Sequence, residues 1–119
     1  MELMAMITTG FVALLHLYIM YIEMFLWDKP KGMKIFGLQP DFAKASRVMA
    51  ANQGLYNGFL AVGLLWGMWL GTAGLGVTVF FLLCVVIAGV YGAITSSKKI
   101  LLVQGLPGLI ALIAVLLAA

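Results

Sequence analysis

Charge is what this 119-residue chain has least of: 9% of its residues are Asp, Glu, Lys or Arg, against 65% hydrophobic. Soluble domains average about 25% charged and about 45–50% apolar residues. That scarcity excludes a soluble domain, a disordered chain and a nucleic-acid binder. The single cysteine excludes an internal disulfide framework and any paired-cysteine zinc site, and the single histidine excludes most His-rich metal sites. No GxGxxG, P-loop, HExxH or Ser-His-Asp signature occurs. No metal is therefore expected, and no motif announces a cofactor. No internal repeat is visible either. What remains is one small membrane domain.

Long apolar runs supply its architecture. A helical span needs about 20 mainly apolar residues. Met4–Trp27 is one such run, interrupted by His16 and Glu23; the segment Asp28–Pro40, with Pro30, Gly32 and Pro40, breaks it. A second helix is expected from Asp41, a plausible N-cap, to the turn signal Gly71-Thr72-Ala73-Gly74. Ser96-Ser97-Lys98-Lys99 divides the remainder into two further runs, the last containing Pro107. The expectation is an all-α, four-transmembrane-helix bundle forming a single domain over residues 1–119, with helices at about 3–27, 41–70, 74–97 and 99–118.

The few charges are one-sided. All seven basic residues (Lys29, Lys31, Lys34, Lys44, Arg47, Lys98 and Lys99) lie in or next to the first and third loops. Under the positive-inside rule those loops are cytoplasmic, so both termini face outward. The first run has no basic n-region and exceeds a signal-peptide core of about 7–15 residues, so it is expected to be retained. The expected location is multi-pass, in the bacterial cytoplasmic (inner) membrane. The net charge of +3 implies no acidic partner beyond anionic lipid headgroups. Ile35, Phe36 and Leu38, set among lysines, suit an interfacial segment.

Polar residues within spans are expensive and mark function first. Counting from Trp27 and Asp41 at about 1.5 Å per residue, Glu23, Arg47, Tyr91 and Gln104 fall at one depth near the cytoplasmic side. His16, Asn52 and Gln53 fall near mid-membrane, with Tyr56 and Asn57 one turn beyond. His16 and Glu23 share a face, being seven residues apart. Arg47 is the one basic residue counted at Glu23's depth on the neighbouring helix. Glu23 is thus expected to reach Arg47 or another polar side chain at its own level. Plain alternatives stand beside each residue: His16 as a satisfied interhelical hydrogen bonder, Glu23 as a structural partner of Arg47, and the amides as helix glue. Cys84 reads as a small hydrophobe and the methionines as adaptable packing. Gly54 and Gly58, and again Gly63, Gly67 and Gly71, recur four apart. They allow close approach of a helix within the chain or of another subunit. With them the chain is expected to form a homo-oligomer, a trimer or dimer.

The run Asn52-Gln53-Gly54-Leu55-Tyr56-Asn57-Gly58-Phe59-Leu60, with His16-Leu17-Tyr18, Glu23-Met24-Phe25 and Val103-Gln104-Gly105-Leu106-Pro107, resembles an uncharacterised bacterial family of small four-helix membrane proteins. The stretch from Arg47 to Phe59 is more loosely similar to the second helix of the membrane-associated proteins in eicosanoid and glutathione metabolism. That resemblance implies a four-helix architecture, usually trimeric, with a polar site between subunits. Arg47, Asn52 and Tyr56 follow its pattern, whereas Leu55 stands where a Glu belongs and the Arg–Asn spacing is one residue longer.

Three functions follow. The preferred one is a site opening toward the cytoplasmic side that binds or transforms a lipophilic small molecule. There Glu23 and His16 would move a proton, and Arg47, Asn52, Gln53, Tyr56, Asn57, Tyr91 and Gln104 would line the site. Asn52 and Gln53 would stabilise an oxyanion. Isomerisation, epoxide opening or conjugation suits such a site. The second is a small transporter, similar to small multidrug-resistance exporters in span number and first-helix Glu; the one-sided charge argues against their dual insertion. The third is a non-catalytic accessory subunit, which would not need the polar residues.

Overall fold

Apolar sequence without a breaker runs from Leu3 to Tyr21, and it forms helix α1 (Leu3–Tyr21) in the computed structural model, which describes residues 2–119. The helix passes directly into a single π-helical turn, Ile22–Leu26. Helix α2 (Pro30–Phe36) follows within the segment expected to be a break. Proline opens it, where its missing N–H would be unpaired anyway. Gly37 closes it in the left-handed conformation (φ 65°), donating its N–H to the Met33 carbonyl. Helix α3 (Pro40–Trp69) also opens on a proline, so Asp41 lies inside its first turn instead of capping it. A 3-10 turn, Gly71–Gly74, leads to α4 (Leu75–Thr95); a second π-helical turn, Leu101–Gly105, leads to α5 (Leu106–Ala118). Pro107 sits in the first turn of α5.

Over the described residues the chain is thus all-α, with five α-helices. Among the described residues, three helical stretches are long and apolar enough to cross a membrane: Leu3–Leu26, Gly71–Thr95 and Leu101–Ala118. The longest helix, α3 with 30 residues, is not one of them. Asn52, Gln53 and Asn57 interrupt its apolar sequence, and Asp41, Lys44 and Arg47 charge its first turns.

Two compact units make up the fold. One comprises the chain up to Leu14 together with Leu60–Ala119. Its core holds Val12, Leu64, Leu82, Val85, Leu112 and Val115, all buried. Small residues let its backbones meet: a Cβ on Gly89 would lie 2.5 Å from the Gly105 Cα, and Gly63 and Gly67 sit against Phe81 and Thr78. The second unit, Leu15–Phe59, contains the end of α1, the first π turn, α2 and the first two-thirds of α3. Gly32 lies hard against the Leu26 carbonyl, which fixes α2 beneath the π turn, and the Trp27 and Phe36 rings stand 5.1 Å apart. Trp27 Nε1 donates to Ser46 Oγ at 2.9 Å, and that hydroxyl donates to the Phe42 carbonyl at 2.7 Å.

Candidate functional site

The site is built in the second unit, where α1 and α3 run antiparallel. Gly54 fixes their approach. A Cβ there would lie 2.8 Å from Met24 Cγ, 3.0 Å from Glu23 Cβ and 3.1 Å from the Met20 carbonyl oxygen, and one on Gly58 would lie 2.7 Å from Met20 Sδ. Any larger residue would part the helices at the level of Glu23. The glycines at 54, 58, 63 and 67 are therefore all covered by atoms of their own chain.

Glu23 sits within the π turn and is 3% exposed. A π turn inserts one extra residue into the helical ladder and re-aims the side chains around it, and such turns recur at functional positions. Both carboxyl oxygens are engaged. Asn57 Nδ2 donates to Oε1 at 2.5 Å, and Gln53 Nε2 donates to Oε2 at 3.1 Å. The two amides stand four residues apart on α3, one above the other on one face, with Gly54 between them. Asn57 is buried, whereas Gln53 keeps an exposed side. The carboxyl is thus buried, held by one buried amide and by a second whose own side chain remains exposed.

Arg47 does not take part. It pairs with Asp28 at 3.9 Å, its side chain 61% exposed. The expected Glu23–Arg47 level is wrong for a physical reason. A depth counted from the sequence end of each helix ignores their offset, and Trp27 lies opposite Ser46 and Glu23 opposite Gly54. The first turns of α3 therefore extend past Trp27, shifting the register by about two turns. This brings Gln53 and Asn57, counted as deeper, onto Glu23.

The other expected residues divide as follows. His16 is fully buried, two turns before Glu23 on α1. Asn52 is exposed and donates to the Val48 carbonyl of its own helix at 2.9 Å. Tyr56 is exposed, its ring edge-on to Phe59 at 5.8 Å. Tyr91, exposed, and Gln104, half-buried in the second π turn, belong to the other unit. The sequence reading missed Asp28 as the partner of Arg47 and Met20 and Met24 as the residues lying on Gly54 and Gly58. The four-residue glycine spacing was the available signal for the latter.

What the arrangement offers is a carboxyl group aligned by two neutral amide donors. Amides aimed at carboxyl oxygens serve equally well for negative charge developing on a bound molecule. Among the described residues, no group of three or more His, Cys, Asp or Glu residues is placed to hold a metal ion.

An uncharacterized protein, YpaA, from Lactococcus lactis subsp. lactis (strain IL1403) is 33% identical to this chain over 116 residues, covering 96% of this chain and 98% of that protein. No solved structure matches. The family model described as "Protein of unknown function (DUF1304)" matches residues 10–116. With nearly its whole length aligned in both comparisons, the chain belongs to the DUF1304 family.

Proposed function

We propose that this chain is a multi-pass protein of the bacterial cytoplasmic membrane in which Glu23, Gln53 and Asn57 form an intramembrane site that binds a lipophilic small molecule and exchanges a proton with it. In this reading α3 is a fourth span and both termini face outward. The confinement of all seven basic residues to the segments between the first and second and between the third and fourth proposed spans, with their flanks, supports that topology. Reporter fusions at Gly74 and Ser97 test it: an outside signal at Gly74 and a cytoplasmic one at Ser97 are expected, and a cytoplasmic signal at Gly74 overturns it.

One observation carries the site: both oxygens of a buried carboxyl are held by primary amides from successive turns of a facing helix. Polar groups in a lipid-filled environment cost several kcal/mol each when unpaired, so this cluster is organised around the carboxyl. Glu23 is the proton donor or acceptor. Asn57, buried, positions it. Gln53, with one side open, is the group a ligand displaces to reach Oε2, and its amide then serves as a donor to the ligand. His16, two turns further along the same helix, extends the proton path. The chemistry such a site supports is acid–base: isomerisation, epoxide opening or conjugation.

The test uses a lipophilic probe that reacts with carboxyls, dicyclohexylcarbodiimide, on the whole protein in its native membrane. The Glu23 carboxyl adds across the carbodiimide, and the O-acylisourea rearranges to a stable N-acylurea. Peptide mass spectrometry is expected to find that adduct on Glu23. A Glu23 left unmodified, while a water-soluble carbodiimide modifies Asp28 and Asp41, overturns the binding reading and leaves the cluster as a helix clamp in a non-catalytic subunit.

A further inference from the structure

The exposed surface of α3 next to the carboxyl carries a polar stripe, which the proposed fourth span would set against lipid. Met49, Asn52, Gln53 and Tyr56 follow the i, i+3, i+4, i+7 spacing of one helical stripe, and all four are exposed. The stripe retains unused hydrogen-bonding capacity. Asn52 gives one N–H to the Val48 carbonyl. A primary amide has two N–H donors and a carbonyl with two lone pairs, so its second N–H and its carbonyl have no partner among the described residues. Gln53 likewise gives one N–H to Glu23 and keeps the rest. Tyr56 adds an exposed phenol. In hydrocarbon each such group lacks the water that would satisfy it.

We propose that this stripe is covered by a second copy of the chain, with Asn52 of one copy facing Asn52 of the other. Self-complementarity identifies the occupant. An amide both donates and accepts, so a second Asn52 is a matched partner, whereas lipid tails and apolar helix faces are not. The membrane supplies the registration. Copies inserted in one orientation are related by an axis along the membrane normal, which places identical residues at identical depth. Oligomers of identical chains favour such closed symmetry, and Asn side chains are established bonding groups between membrane helices. This contact rests on the single-orientation topology proposed above and is independent of the ligand proposed for Glu23. It replaces the glycine spacing as the basis for self-association, since Gly54, Gly58, Gly63 and Gly67 are already covered within the chain. It also puts Gln53, the exposed donor to the carboxyl, at the subunit boundary.

Crosslinking in native membranes tests the contact. Cys84 is the sole cysteine, so a Cys84→Ala background leaves only introduced thiols. Met49→Cys lies on the stripe at 77% exposure, and Ile94→Cys on α4 is a control matched at 78%. A short bis-maleimide is expected to give dimer with Met49→Cys and monomer with Ile94→Cys. Adding Asn52→Leu to Met49→Cys should lower the dimer yield about ten-fold, in line with about 1–2 kcal/mol for an intramembrane polar pair, while Asn52→Gln should retain most of it. Equal yields at positions 49 and 94, or a dimer indifferent to Asn52→Leu, overturn the contact. If the Gly74 and Ser97 reporters meanwhile stay one-sided, the topology stands and a lipid or ligand covers the stripe. Mixed reporter signals overturn the topology and the same-depth contact with it.

Discussion

The two compact units hold together by opposite means. In Leu15–Phe59, directional bonds between side chains set the register: Trp27 to Ser46, Gln53 and Asn57 to Glu23, and Asp28 to Arg47. In the unit containing Leu60–Ala119, backbones meet across glycines and packing is nearly all apolar. Two threonine hydroxyls there, on Thr9 and Thr78, are buried without a hydrogen-bond partner among the described residues. The apolar unit tolerates unsatisfied polar atoms in exchange for close packing; the other assembles its polar atoms around one carboxyl. Concentrating directional bonds at Glu23 suits a site, and small-residue packing suits a scaffold.

The largest expected effect lies in the scaffold. Gly89 and Gly105 meet backbone to backbone, so a side chain at position 89 cannot be accommodated by turning a flexible neighbour. Gly89→Leu should destabilise the protein by about 3 kcal/mol, the upper end for overpacking, read as the unfolding midpoint in detergent. A loss below about 1 kcal/mol would show that this approach is not what holds α4 to the second π turn.

Asn57→Leu comes next. It removes the 2.5 Å bond and leaves Oε1 of a buried carboxyl unpartnered. The expected cost is about 2 kcal/mol, within the range for a stranded buried polar group. If Asn57→Leu is neutral by the same measurement, the polar unit is held by its helix packing alone, and the contrast with the scaffold disappears.

Part of this organisation is legible in the sequence, and the rest depends on tertiary contacts. The breaks near Gly71–Gly74 and Ser96–Lys99 are readable because local breakers act locally, whereas Pro40, read as part of a break, opens α3. Glu23, Gln53 and Asn57 stood out because polar residues are rare in such runs. Their pairing did not, since spacing along one helix carries no information on its offset against another. Gly54 held that information: the helices come closest where a side chain is missing, and Glu23 lies opposite it. α2 escaped notice because seven residues containing a glycine have little helical preference of their own. Its seat against Leu26 and Trp27 is tertiary.

Thr78→Val reverses the sign of the Asn57 experiment. Replacing a hydroxyl that is buried without a partner by a methyl of the same shape removes a desolvated polar atom and keeps the packing against Gly67. A gain of about 1 kcal/mol is expected. The two substitutions together are the sharpest form of the comparison: deleting a polar group costs stability in one unit and adds it in the other. A loss with Thr78→Val would mean that its hydroxyl has a function in the scaffold.

The smallest effect on stability, and the most informative about the site, belongs to Gln53→Leu. Gln53 donates to Oε2 over 3.1 Å, a longer bond than that from Asn57, and its side chain is exposed. With α3 as the proposed fourth span, bonds of this kind average about 0.6 kcal/mol, so the unfolding midpoint should move little. Access to the carboxyl should change much more. With the Gln53 amide gone, Oε2 has lost its only donor among the described residues, while Asn57 still holds Oε1 in place. Dicyclohexylcarbodiimide should then modify Glu23 several times faster than in the wild type, at unchanged reactivity of Asp28 and Asp41 toward the water-soluble reagent. Stability and reactivity must separate for Gln53 to be the group that a ligand displaces. A variant that loses about 2 kcal/mol, as expected for Asn57→Leu, with no gain in labelling, would place Gln53 among the structural bonds.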